Sequence, residues 1–147
     1  MRMQQVAIVA LSAAALTSSG IATAAATSAV DGSREEVARS YLDALVSHDA
    51  SRVPFAPDCT QVEAGIQTGY SGPQLTTDLE HGAQYDLVQS IHDVRLSTAG
   101  DVVTARYLLG SGIAGVPIVT VDITETFVVT DGEIQRIDAT IVPVSVP

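Results

Sequence analysis

The sequence predicts an α+β fold in which a curved antiparallel sheet wraps around an N-terminal helix. Three observations carry this. Val37, Tyr41, Ala44, Leu45 and His48 recur at helical spacing, with Ala38 and Leu42 widening the apolar stripe. From Asp86 onward, four successive runs alternate apolar and polar residues, the period of half-buried strands. Helices come first and strands afterwards, the order of segregated α+β domains rather than of alternating parallel ones.

The 147 residues leave room for one domain. Met1-Arg2 gives a short basic start, Val6 to Leu16 is apolar and uncharged, and Ala22-Thr23-Ala24 and Ala24-Ala25-Ala26 are small-x-small sites. Together they predict a secretory signal peptide over residues 1–26, cleaved near Ala24 to Ala26, and a secreted single domain over 27–147. The apolar run is about half of the ~20 residues that a membrane span needs, so no membrane association is expected beyond export. Seven arginines and no lysine stand against seventeen Asp and Glu, a net charge of −10. Such a surface is a poor partner for nucleic acid or an anionic membrane. Cys59 is the only cysteine, so it is either a buried, inert thiol or an intermolecular link. Its strand-like surroundings favour burial.

Ser33 as N-cap and Glu36 three residues on form a capping box that opens the first helix, Ser33 to Asp49. Asp49 to Asp58 reads as a turn or short helix broken by Pro54 and Pro57. Cys59 to Glu63 reads as a strand with Cys59, Gln61 and Glu63 on one face. Ala64 to Gly72, rich in Gly and Thr, fits a turn and a short strand. Ser71-Gly72-Pro73 starts a second helix, which Gly82 ends after His81. Strands follow at Asp86–Ser97, Val102–Leu109, Ile118–Val129 and Glu133–Val142. Ala99-Gly100-Asp101 and Asp131-Gly132 are tight turns, and Gly110 to Val116 is a looser, Gly-rich loop. Pro143 has no N–H to donate, so pairing should weaken there. In the first of these strands His92 shares a face with Val88, Val94 and Leu96; in the second Tyr107 shares one with Val103, Ala105 and Leu109.

The candidate site centres on one break in pattern. Along Val119 to Val129, Val119, Val121, Ile123, Phe127 and Val129 share the apolar face, and Glu125 sits among them. A carboxylate there must pair, with Arg106 or Arg95 for example, or stay protonated. Tyr41 lies mid-helix on the inward face, either as a plain core aromatic or with its hydroxyl directed into a cavity. A half-cone of sheet around a helix commonly leaves such a cavity at its open end. His81, His92 and Asp93 offer a weaker His–carboxylate pair. No histidine spacing suggests a metal site, and no phosphate-binding or dinucleotide motif is present.

Three phrases in this order, ARSYLDALVSHDASRV (Ala38 to Val53), FAPDCTQVE (Phe55 to Glu63) and TETFVVTDGEIQRI (Thr124 to Ile137), resemble the nuclear-transport-factor-2-like (NTF2-like, SnoaL-like) superfamily over essentially the whole of residues 27–147. The resemblance implies a cone-shaped α+β fold of the cystatin-like type. Its ketosteroid-isomerase branch carries a helix tyrosine, a carboxylate base on the first strand and a protonated acid on a late strand. Alignment of the phrases puts Tyr41, Glu63 and Glu125 at those positions, with Glu where those isomerases have Asp. The implied chemistry is removal of a proton α to a carbonyl by Glu63, with Tyr41 and protonated Glu125 bonding the enolate oxygen. His92, Tyr107 and Phe127 are expected to line the ligand site. No cofactor and no metal are expected; the partner is a small apolar molecule. The alternative is a secreted, non-catalytic ligand-binding or interaction domain, with a homodimer formed through the outer face that carries Thr120, Thr124 and Thr126.

Overall fold

A long helix, α1 (Ser19–Ser47), lies across the inner face of a single six-stranded sheet. The computed structural model describes residues 19–145. The remaining elements are β1 (Phe55–Glu63), β2 (Ile66–Gly69), α2 (Gly72–His81), β3 (Val88–Ala99), β4 (Val102–Ile113), β5 (Val116–Thr130) and β6 (Glu133–Ser145). The sheet order is β2-β1-β6-β5-β4-β3. All neighbours are antiparallel except β1 and β6, so the sheet is mixed rather than purely antiparallel. The parallel pair arises because β1 returns beside the last strand, closing the half-cone. Register shifts in all five strand pairs supply the curvature.

The apolar stripe of α1 is the one read from its spacing. Ala38, Tyr41, Leu42, Ala44 and Leu45 are buried against the sheet, each leucine contributing about 1.5–3 kcal/mol by leaving water. The start of the helix is different from expectation. Ser33 is not an N-cap, because α1 runs through it from Ser19; the alanine-rich stretch before it has high helix propensity and continues the turn. The small-x-small sites at Ala22 to Ala26 fall within α1, and the apolar run Val6 to Leu16 lies outside the described residues. His48 ends the helix at φ 57, with its N–H donating to Ala44 O at 2.8 Å, the left-handed stop more often made by Gly. At the other end of the packed segment Arg34 donates to Val129 O at 3.2 Å and to Asp101 at 2.8 Å, tying α1 to the β3–β4 turn and to β5.

Two sheet readings need correction. β1 starts at Phe55 and takes in Pro57, which sits where the β1–β6 register is interrupted between Phe55 and Thr60; no ladder bond is lost there. The Gly-rich stretch Gly110 to Val116 is not a loose loop. β4 runs on to Ile113, paired with Val116, around a two-residue turn in which Ala114 (φ 50) and Gly115 (φ 79) are both left-handed. Asp131-Gly132 and Ala64-Gly65 make the same turn, the type that matches strand twist. β6 continues through Pro143, with a register shift between Thr120 and Val121 beside it. α2 is capped by Ser71, whose hydroxyl accepts from Gln74 N at 3.2 Å, and stops at Gly82. Its buried Leu75 and Leu79 face β1.

Candidate functional site

The rung that builds the site is Ala105–Glu125–Ala139, one residue from each of β4, β5 and β6. Alternation fixes all three on the inner face. Both cross-strand neighbours of Glu125 are alanine, so the central strand carries a long side chain between two short ones and space remains beside it. That space is a cavity of about 240 Å³. Leu45, Val88, Leu109, Val121, Ile123, Ala139 and Ile141 form its apolar wall; Glu63, Gln84, Tyr85, Tyr107 and Glu125 supply its polar groups. The volume is small against typical drug-sized sites of about 300–1,000 Å³, and it suits a molecule of few heavy atoms.

Glu125 is 2% exposed, and among the described residues no cation pairs with it. Arg106 and Arg95 are exposed; Arg106 meets Asp122 at 3.4 Å instead. Of the two alternatives, the ion pair with Arg106 or Arg95 is not formed, because these arginines occupy positions that alternate to the outer face. Burial pushes the Glu125 carboxyl up to about 8, the nearby Glu63 charge adds to this, and the Tyr107 hydroxyl opposes it. That hydroxyl donates to Glu125 Oε2 at 2.7 Å. Tyr107 stands two residues from Ala105 on the same face of β4, on the diagonal from Glu125. Burial and the neighbouring carboxylates keep the hydroxyls of Tyr41, Tyr85 and Tyr107 protonated well beyond the ordinary tyrosine range.

A second polar cluster reaches the same cavity through Glu63 and Tyr85. Gln61 and Glu63 both point inward from β1, and Gln61 Nε2 donates to Glu63 Oε1 at 3.0 Å. The same nitrogen lies 3.0 Å from the Tyr41 hydroxyl and 3.3 Å from that of Tyr85. The Tyr85 hydroxyl approaches Glu63 Oε1 at 3.4 Å, long for an O–H donor. Tyr85 is held by the turn after α2, where its N–H donates to Gly82 O at 3.0 Å.

Of the residues singled out from sequence, Glu63, Tyr107 and Glu125 line one cavity. Tyr41 does not line it; it is buried beneath Gln61, edge-on to Phe127 at 5.3 Å between ring centroids. Phe127 is fully buried behind that ring and is core rather than cavity wall. His92 is exposed and outside the site. The reason is a bulge: the β3–β4 register shifts between His92 and Arg95, with Asp93 at φ 54, and Ile91 rather than His92 packs inward. Gln61 and Tyr85 were missed. Gln61 carried the same signal as Glu125, a polar residue on an inward strand face; Tyr85, in a turn, carried none. Cys59 is buried, its thiol pushed up to about 12 by burial, and it takes no part in the cavity. Among the described residues no three His, Cys, Asp or Glu side chains converge to hold a metal ion.

Comparison with solved structures agrees with this architecture. The chain is similar to an LEH-like epoxide hydrolase of M. tuberculosis (TM-score 0.65, 17% identity, covering 76% of this chain and 84% of that one). It is similar to a hypothetical protein with a ketosteroid-isomerase-like fold from Catenulispora acidiphila, solved with trimethylamine (TM-score 0.57, 21% identity, 71% and 84%). It is also similar to an NTF2-like protein of unknown function from Cytophaga hutchinsonii (TM-score 0.56, 13% identity, 74% and 89%). No curated protein matches the chain. The fold is thus the NTF2-like cone. Residues 30–141 match the model of a domain of unknown function, DUF8021, and the chain belongs to that family.

Proposed function

We propose that the protein binds a small, apolar carbonyl compound in the cavity and catalyses cofactor-independent proton transfer on it. The reading rests on one observation: a buried carboxyl group, Glu125, and a second one, Glu63, line the same small apolar cavity, and burial raises the first toward its neutral form. Environments that push two titratable groups apart are how a site assigns an acid and a base. Glu63 accepts the proton from the carbon α to the carbonyl. The electron pair of that C–H bond moves into a carbon–carbon double bond, and negative charge develops on the carbonyl oxygen. Glu125, whose Oε2 already accepts from Tyr107, donates from its other oxygen to the developing enolate. Return of the proton from Glu63 to a carbon completes an isomerisation or exchange. Tyr107 and Tyr85, not Tyr41, are the tyrosines beside the ligand in this reading.

The experiment is α-proton exchange of small cyclic ketones in D2O, followed by NMR. Protein-accelerated exchange that is abolished by Glu63→Gln and reduced by Glu125→Gln supports the reading. Ketones that bind without exchange would overturn it and leave a ligand carrier. That second reading is favoured by a specific contact, since Gln61 and Tyr85 already tie Glu63 Oε1 into the wall. The proposal includes export, from the basic start, apolar run and cleavage sites of residues 1–26; N-terminal sequencing of the secreted protein tests it. It also includes a homodimer through the threonine-bearing outer face, which sedimentation would test.

A further inference from the structure

Gln61 is fully buried, yet half of its amide is unsatisfied. Its Oε1 is shielded from solvent with no hydrogen-bond partner among the described residues, a situation that usually carries a penalty. A methionine would fill nearly the same volume with no stranded carbonyl. The other half of the amide accounts for the choice. Nε2 carries two hydrogens and has three oxygens near it: the Tyr41 hydroxyl and Glu63 Oε1 at 3.0 Å, and the Tyr85 hydroxyl at 3.3 Å. The two shorter contacts take the two hydrogens. Turned end for end, the amide would set its carbonyl oxygen 3.0 Å from a Glu63 carboxylate oxygen, acceptor against acceptor. An ionised Glu63 therefore fixes the direction in which the amide points.

We propose that Gln61 is the positioning residue of Glu63: its buried amide, anchored on Tyr41, sets the Glu63 carboxylate in the orientation from which it takes the substrate proton. This rests on the proton-transfer reading above. Gln61 does not line the cavity and acts only through Glu63. Tyr41 becomes the anchor of the amide, which explains why a helix tyrosine lies beneath the site without entering it. The other groups that face Glu63 are the Tyr85 hydroxyl from the turn after α2 and, across the cavity, Glu125 on β5 and Tyr107 on β4.

Gln61→Met tests it. The variant should fold, exchanging the stranded carbonyl for a Tyr41 hydroxyl that has lost its amide donor, and should bind cyclopentanone with a Kd within twofold. Its kcat for α-proton exchange should fall at least tenfold with KM unchanged, because the base is left without its positioning contact. A contact readout independent of turnover is the side-chain amide resonance of Gln61 in the parent. It should move on Glu63→Gln and stay on Glu125→Gln. If Gln61→Met fails to fold, Tyr41→Phe serves, and should shift the same resonance and lower kcat. An unmoved amide resonance, or a Gln61→Met enzyme with parental kcat, overturns the proposal. A parent without exchange activity removes the proton-transfer reading, and the proposal with it; the amide resonance then still distinguishes a Gln61–Glu63 contact from none.

Discussion

Replacing Glu125 with Gln should flatten the dependence of stability on pH. In the folded protein the carboxyl is held at about 8 against an ordinary value of 4.5. Between these limits the unfolded chain has lost the proton and the folded protein keeps it. Unfolding then releases a proton, so stability falls as pH rises, by up to about 1.4 kcal/mol per pH unit. Across the whole interval this amounts to about 5 kcal/mol, fully present below 4.5 and gone above 8. Glu125 is 2% exposed, so no solvent screening reduces the figure. Glutamine keeps the shape and an oxygen for the Tyr107 hydroxyl but cannot ionise. Urea unfolding of parent and variant at a series of pH values from 5 to 8.5 gives the difference, in which titrating groups remote from Glu125 cancel. The variant should gain on the parent as pH rises, by about 3 kcal/mol between pH 5 and 7.5. Parallel curves would refute the reasoning, because they would mean that Glu125 ionises alike in both states.

Tyr107→Phe removes the donor to Glu125 Oε2 and should cost about 1–3 kcal/mol at pH 5, with Glu125 titrating still higher; urea unfolding and a carboxyl titration check the two parts. Leu75→Ala, at the buried α2–β1 contact away from the cavity, should cost about 2–5 kcal/mol and leave the Kd of any cavity ligand within twofold by calorimetry. His92→Ala should change stability by less than about 0.5 kcal/mol and ligand affinity not at all, since the bulge at Asp93 leaves that ring in solvent.

Where periodicity was strict, the sequence was sufficient. The stripe of α1, the capping of α2 by Ser71 and the face of Glu125 follow from spacing and side-chain chemistry alone, because local geometry decides them. Bulges are where it fell short. The residue that shifts register in β3, Asp93 at φ 54, is not a glycine and has no distinctive neighbour, so the side of the sheet taken by His92 was hidden. Gly110 and Gly112 suggested a loop because glycine usually interrupts strands; pairing with Thr120 and Pro117 in a long hairpin overrides that preference. The site was legible in part for the same reason. Glu125 and Glu63 lie on faces that alternation assigns. Tyr41 was correctly placed inward, but depth along the inward direction has no sequence signal, and Gln61 covers it. That neither Arg95 nor Arg106 reaches Glu125 depends on the face each takes, which only the assembled sheet supplies.

The central claim is that the folded protein holds Glu125 as a neutral acid beside the cavity. Carbon-13 NMR of glutamate-labelled protein, titrated from pH 4 to 9, tests it most directly. One carboxyl carbon should keep its protonated shift to near pH 8 and vanish from the spectrum of Glu125→Gln. If every glutamate carboxyl is ionised by pH 6, Glu125 cannot serve as the donor to an enolate, and the account fails at its centre.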